Sequence, residues 1–243
     1  MEERKHIKVL TLHFASPIEA WEVPLFRGAV INTIGESVDM LFHNHAPEEE
    51  FRYSYPLIQY KRLHGNAAIV CLEEGVDKIG QFLSTNKTEI MLGERPLTLA
   101  LDGVKPQNIL IQTWKSDFPY HIHNWIPLNQ ENYRRYKATS SQIERITLLE
   151  NILRGNILSM CKGLGIHVSE ELKVHIGKVS EPRLVKVKGV KVMLFDADFY
   201  SNLSIPNNIG LGKNISFGFG ITHLKKQENH EHNNNTNDEL TVN

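Results

Sequence analysis

The chain has 243 residues, of which 41% are hydrophobic, so it can bury one large core or two small ones. Its formal net charge of -1 argues against a protein that coats nucleic acid indiscriminately. Its two cysteines, Cys71 and Cys161, belong to no C-x-x-C pair, which argues against a disulfide framework and against a cysteine-based zinc site.

The first half of the chain, residues 1–104, predicts a β-α-β-β-α-β order. An alternating strand opens it, and residues 23–35 predict an amphipathic helix. Two strand-like stretches then meet at a predicted hairpin turn, residues 64–66, and a short helix precedes two further strands, 88–92 and 97–101. This order is the ferredoxin-like arrangement.

The second half, residues 105–224, predicts a degraded copy of the first. Strand-like stretches open it at 108–114 and 120–128, and residues 140–165 form the clearest helical pattern in the chain. Further strands follow, with Gly189 as a turn or bulge, and no second good helix is visible. We therefore predict an α+β fold of two tandem ferredoxin-like domains.

The segment 207–222, NNIGLGKNISFGFGIT, is rich in glycine: Gly210, Gly212, Gly218 and Gly220. Its spacing matches neither the P-loop nor the dinucleotide-binding pattern. Such glycines permit close approach of the backbone to another body, including phosphates, or else mark a bulge or tight bend beside a strand. Alternating apolar residues predict that the segment itself forms the last strand: Ile215, Phe217 and Phe219.

The C-terminal region is unevenly charged. The last 17 residues carry four acidic and no basic residues, and we predict that the polar, asparagine-rich tail, 225–243, is disordered. The preceding stretch from Lys173 to Lys226 has an excess of basic residues, which is compatible with an anionic partner. A solvated strand face is the alternative interpretation of that excess.

Two pairs of histidines stand two residues apart in the sequence. In an extended segment such residues point to the same side, so His43 and His45 can share one cleft, one accepting a proton and one donating it. A metal is the competing use, although two histidines alone make an incomplete zinc site. We interpret the second pair, His121 and His123, as structural.

Five motifs follow one another across residues 5–224: FRGA at 26–29, FHNH at 42–45, YSYPLIQYK at 53–61, FYSNLSIPNNIGLGK at 199–213 and SFGFG at 216–220. In order and spacing they resemble those of the CRISPR-associated repeat-processing endoribonucleases of the RAMP superfamily, in particular the b-type subfamily. That resemblance implies two tandem ferredoxin-like domains, a C-terminal glycine-rich loop that packs on RNA, and a histidine-based active site with no metal and no cofactor.

The resemblance also assigns residues. His43 and His45 occupy the places of the paired active-site histidines, and Tyr53 and Lys61 match the following motif as further catalytic residues. The loop residues expected to bind RNA share that one segment: Gly210, Gly212, Lys213, Ser216, Gly218 and Gly220.

The expected activity is metal-independent cleavage of CRISPR precursor transcripts within each repeat, by attack of a ribose 2′-OH that leaves a 2′,3′-cyclic phosphate and liberates guide RNAs. Two alternatives stay open: a non-cleaving RNA-binding subunit of a CRISPR ribonucleoprotein, and a metal-dependent nuclease. The expected partner is CRISPR repeat RNA, with CRISPR effector subunits and a second copy of the chain as further candidates. The charged N-terminus and the lack of any stretch that approaches a transmembrane span favour a cytoplasmic protein without a membrane partner.

Overall fold

The computed structural model describes residues 3–35, 42 and 55–225. The strands of this part are β1 (Lys5–Pro17), β2 (Ile58–Leu63), β3 (Asn66–Leu72), β4 (Glu89–Leu92), β5 (Arg95–Thr98), β6 (Leu101–Ile111), β7 (Thr113–Trp125), β8 (Val174–Val179), β9 (Arg183–Val187), β10 (Val190–Leu203) and β11 (Ile221–Leu224). The helices are α1 (Val23–Ile34), α2 (Glu74–Lys78), α3 (Gly80–Leu83), α4 (Gln130–Ala138) and α5 (Gln142–Gly163). None of these helices combines the length and the apolar character that crossing a membrane requires.

The first sheet has the strand order β2-β3-β1-β6, and all its neighbouring strands are antiparallel. This is the ferredoxin-like order, as the sequence predicts. Helix α1 begins with Pro24 in its first turn and ends at Gly35, whose φ is 79°. The predicted hairpin turn joins β2 to β3 through His64 and Gly65, whose positive φ values of 50° and 86° fit a tight two-residue connection.

The first sheet is buried on both faces, because successive side chains of a strand point to opposite sides. On β3, Ile69 and Cys71 face the cluster that includes α1 and the β4–β5 hairpin. Their neighbours Val70 and Leu72 face a second cluster that includes the sheet and long helix of the second half. The two halves of the chain therefore share one core.

The structure corrects the assignment of the fourth strand of this sheet. The sequence predicts residues 97–101 as this strand and 108–114 as the opening of the second half, but β6 runs from Leu101 to Ile111 and pairs with β1 throughout. The segment 89–98 forms a separate hairpin. Because β6 is an edge strand, it tolerates exposed polar residues and Pro106, which blur its strand pattern. We propose that the halves divide at Gln112 rather than at residue 104.

The second sheet has the order β11-β7-β10-β8, the same ferredoxin-like order, with β9 paired to β10. Helix α5 covers its inner face with residues that the helical spacing predicts, among them Leu149, Leu153 and Ile157. The side chain of Ser141 accepts a hydrogen bond from the Glu144 backbone at its start. The preceding helix α4 has no counterpart in the sequence prediction.

The connection from β10 to β11 contains no α-helix, as expected for a degraded second copy. The predicted strand through Ile215, Phe217 and Phe219 is wrong. Ile215–Phe217 form a 3-10 turn, and the last strand begins only at Ile221. Ile215 is buried in the core shared by the two halves, whereas the Phe217 ring lies against Lys188 and Arg27, so this apolar alternation belongs to a loop and not to a strand. The predicted disordered tail, apart from Lys225, lies outside the described residues.

Candidate functional site

The segment that carries three predicted catalytic residues, His43, His45 and Tyr53, lies outside the described residues. Two residues fix its ends. Phe42, which directly precedes His43 in the chain, is 1% exposed and belongs to the core around α1. Tyr55, two residues after Tyr53, is 6% exposed and belongs to the core shared by the two halves.

We call residues 207–220 the glycine-rich loop. It lies on the face of β2 that points toward the second half of the chain, and three side chains from that side bind its backbone. The Tyr55 hydroxyl donates to the Gly210 carbonyl at 2.8 Å, and Gln59 Oε1 accepts from the Gly210 N–H at 2.9 Å. The Lys61 ammonium donates to the Ile215 carbonyl at 3.3 Å. The loop is thereby fixed to the first half by groups about 150 residues away in sequence.

The glycines of the loop are required by contacts within the protein itself. A Cβ on Gly210 would lie 2.5 Å from Ile215 Cγ2 and 2.9 Å from Lys61 Nζ. At Gly212, φ is 95° and a Cβ would lie 2.8 Å from the Trp125 ring. Contacts within the protein therefore account for both glycines without RNA, whether they are interpreted as points of close approach or as tight bends.

Through Arg27, Phe217 links the loop to Phe42, the residue that precedes His43. Its ring lies 4.2 Å from Lys188 Nζ and 5.3 Å from Arg27 Cζ, both measured to the ring centroid. Arg27 also donates from Nη2 to the Phe42 carbonyl at 3.1 Å. Desolvation by burial lowers the pKa of Arg27 from its ordinary value. Aromatic and cationic groups therefore converge beside the residue that precedes His43.

Lys61, the fourth predicted catalytic residue, is fully buried, with 0% of its surface exposed. Desolvation lowers its pKa from an ordinary value of 10.5 to about 7. In this conformation its ammonium faces the underside of the glycine-rich loop rather than solvent. Its role in catalysis stays a prediction.

We expect the burial of Lys61 to leave a signature in the pH dependence of stability. The folded state disfavours the charged form of Lys61, which destabilises the protein. This destabilisation is largest below about pH 7, where Lys61 is charged in the folded and in the unfolded state. It decreases as the pH rises toward 10.5, where the unfolded chain also loses the proton. In urea titrations, Lys61→Met should be more stable than the parent at neutral pH. Its advantage should shrink by about 2 kcal/mol between about pH 7 and about pH 9.

The matched control is Lys213→Met, which removes an exposed lysine of the glycine-rich loop. Its unfolding free energy should follow that of the parent across the pH range. Parallel curves for the parent and Lys61→Met would show that Lys61 stays charged in the folded protein.

Of the loop residues predicted to bind RNA, the structure exposes Lys213 and leaves Ser216 half-buried, whereas Gly210 and Gly220 are buried. Sequence reasoning did not single out Tyr55, Gln59 or Arg27. Tyr55 and Arg27 lie within two of the motifs, 53–61 and 26–29, so the motifs were a signal for their importance but not for their contacts.

Comparison with protein families places this geometry in context. Residues 5–109 match the family model of the Cas6b N-terminal domain, and residues 112–224 match that of the Cas6b C-terminal domain. The two matches meet near Gln112, where β6 ends. An uncharacterized protein of Methanocaldococcus jannaschii is 44% identical over 99 residues, which are 41% of this chain and 66% of that protein's own length.

Solved structures show the same fold. A crystal structure of Cas6b aligns with a TM-score of 0.77 and 26% identity, covering 91% of this chain and 100% of the other. A crystal structure named as the CRISPR RNA processing endoribonuclease Cas6b aligns with a TM-score of 0.71 and 24% identity, with the same coverage. A type IV Cas6 crRNA endonuclease, Csf5, is more distant, at 15% identity and a TM-score of 0.57.

Proposed function

The chain belongs to the Cas6b family, and from this premise we propose that it is an endoribonuclease that cleaves CRISPR precursor transcripts within their repeats and releases guide RNAs. The reaction that we propose uses no metal and no cofactor. Its nucleophile is the ribose 2′-OH next to the scissile phosphate.

One observation carries the proposal: the glycine-rich loop contacts Tyr55 directly and Phe42 through Arg27, and these two residues flank the stretch of chain that bears His43 and His45. Gly210 binds Tyr55, which follows that segment, and Phe217 contacts Arg27, which binds the carbonyl of Phe42. These contacts bring the two histidines' attachment points to a loop that exposes Lys213. An RNA strand lying along the loop would therefore run beside Tyr55 and Arg27, the residues through which the loop reaches those attachment points.

In the proposed mechanism, His45 takes the proton of the 2′-OH while the oxygen attacks the adjacent phosphorus in line. The new O2′–P bond closes a cyclic phosphate, and the P–O5′ bond breaks. His43 or Tyr53 protonates the departing 5′-oxygen, so the proton balance is closed without water. Donors placed at the phosphate would offset the charge that develops on it in the transition state.

For Lys61 we propose a positioning role in this reaction rather than direct contact with the phosphate. Its buried ammonium supports the Ile215 carbonyl, two residues before Phe217. Among the loop residues assigned to RNA, Lys213 and Ser216 are the side chains that we propose touch it. The glycines instead allow the loop backbone to follow its course.

The proposal is tested by incubating the purified protein with the repeat RNA encoded beside its own gene. We expect cleavage at one position in each repeat, with a 5′-OH on the downstream fragment and a cyclic phosphate or its opened form upstream. Tight binding without cleavage would identify a non-cleaving RNA-binding subunit instead. If the protein neither binds nor cleaves the repeat RNA, the proposed function is refuted.

A binding arm of the same experiment examines the loop. A phosphate contact releases counterions, so Lys213→Ala should bind repeat RNA more weakly and with a lower salt dependence than the parent. Lys162→Ala, which removes an exposed lysine at the end of α5, outside the glycine-rich loop, is the matched control. Equal affinity and equal salt slopes for parent and Lys213→Ala would exclude Lys213 from the RNA contact. Subunits of a CRISPR effector complex and a second copy of the chain are further partners that we propose.

A further inference from the structure

The outward face of the second sheet carries two imidazoles side by side. His121 and His123 lie on β7, and their rings stack with centroids 6.4 Å apart and an interplanar angle of 26°. Their side chains are 37% and 49% exposed, so both are open to solvent. The inner face of the same sheet is apolar, with Tyr120 and Ile122 in the core.

A β-bulge directs His123 toward a carboxylate. The register pairs Phe195 with Trp125 but Ala197 with Ile122, which places one extra residue of β7 opposite Asp196. Asn124, at a positive φ of 51°, donates its backbone N–H to Asp196 Oδ1 at 2.7 Å. Bulges of this kind re-aim side chains and are frequent beside functional sites. Here His123 Nδ1 comes to lie 2.8 Å from Asp196 Oδ1.

The second imidazole is held by a second carboxylate. His121 Nδ1 lies 2.7 Å from Asp198 Oδ1, which leaves its Nε2 available to an incoming group. Metal-binding histidines commonly bind a carboxylate through their other ring nitrogen, which fixes the ring and raises its basicity. Lys225 and Arg183 bind the Oδ2 atoms of Asp198 and Asp196 at 2.9 Å and 2.7 Å. Both carboxylates are thereby fixed, and Asp196 keeps Oδ1 toward His123.

We propose that His121, His123 and Asp196 bind a divalent transition-metal ion such as Zn²⁺. One donor atom from each residue lies within 4.8 Å of the other two. Ligand atoms on a tetrahedral zinc lie about 3.3 Å apart, given bonds of about 2.0–2.1 Å, so side-chain rotations complete the approach. Two imidazoles and one carboxylate are a ligand set that zinc uses.

The fourth position on the ion falls to water or to a further imidazole. His223 of β11 stands directly opposite His121 in the strand register, so it lies on the same face of the sheet. An ion at this place would join β7 to β10, and through His223 to β11, the strand that closes the glycine-rich loop. The site therefore stabilises the fold. It has no part in the proposed cleavage, and the proposal of a metal site does not depend on that function.

The test is calorimetric titration of the full chain with ZnCl₂. The tail also contains His230 and His232, so all measurements use a background in which both are alanine. We expect one zinc per chain and a rise in Tm of about 5 °C at a free zinc concentration of a hundred times Kd. His121→Ala with His123→Ala, and separately Asp196→Asn, should lose the binding event and the rise in Tm.

The matched control is His175→Ala on β8, which removes another exposed histidine paired with a carboxylate, Glu150, at 2.9 Å. It should keep both zinc effects. Co²⁺ provides a readout that does not depend on any variant, because a protein-bound tetrahedral ion absorbs visible light strongly. Absence of that absorption in the parent, or equal zinc binding by the parent and the folded His121→Ala/His123→Ala variant, would overturn the proposal.

Discussion

Replacing His43 and His45 together by alanine should abolish cleavage of the repeat RNA while the affinity for RNA changes by no more than about tenfold. The reason is chemical: each imidazole is proposed to move a proton in the transition state, and such transfers are typically worth about 10²–10⁴-fold in rate. The measurement is a single-turnover rate with the enzyme in excess, beside a Kd on RNA that cannot be cleaved.

The single variants should differ from one another. Because His45 is proposed as the base, His45→Ala should lose more activity than His43→Ala, for which Tyr53 can partly substitute as the acid. The control is His167→Ala with His175→Ala, which removes two exposed histidines of the second half. Full activity of the His43→Ala/His45→Ala variant would remove the proposed active site.

The sequence predicts those elements whose own pattern decides their structure. Helix α5 has a continuous apolar face and a capping serine, Ser141, and both survive in the folded protein. The turns at residues 64–65 and 188–189 each place a glycine, Gly65 and Gly189, at a positive φ. The strand β6 was misassigned because it lies at the edge of its sheet, where exposure and Pro106 weaken the alternation.

The candidate site could be predicted only in part, for a physical reason. In β2, Gln59 and Lys61 alternate with the buried Ile58 and Tyr60, which by itself indicates a polar face toward solvent. The structure covers that face with a loop about 150 residues further along the chain, so both polar side chains are buried and bind the loop backbone. No local pattern in β2 predicts that a distant loop covers this face.

The same consideration applies to the glycines. From the sequence they indicated a backbone in close contact with another body, which the resemblance identified with RNA. The structure supplies protein contacts at Gly210 and Gly212, and exposes the lysine beside them, Lys213. A loop that is rigid because it packs on its own protein can present one cation to a phosphate at a fixed place. In the proposed function, the glycines allow the loop to pack on the protein and Lys213 binds the RNA.

A single 2′-deoxy nucleotide immediately upstream of the scissile phosphate should stop cleavage, because it removes the proposed nucleophile. Binding should survive, since only one hydroxyl is lost from a long contact. The measurement compares single-turnover rates and affinities on two RNAs that differ at this one atom, with a 2′-deoxy nucleotide one step further upstream as the matched control. That control RNA should be cleaved at the normal rate.

Excess chelator separates this mechanism from that of a metal-dependent nuclease. With the 2′-OH as nucleophile and His43 and His45 as proton carriers, no ion is needed to generate an attacking hydroxide, and the rate should persist after chelation. The zinc proposed for His121, His123 and Asp196 would be removed by the same treatment, so a lower Tm with an unchanged rate is the expected combination. A metal-dependent nuclease would keep its hydroxide on the deoxy substrate and lose its activity in chelator. Cleavage of the deoxy-substituted RNA at the normal rate, or a divalent ion required for the chemical step, would therefore refute the mechanism.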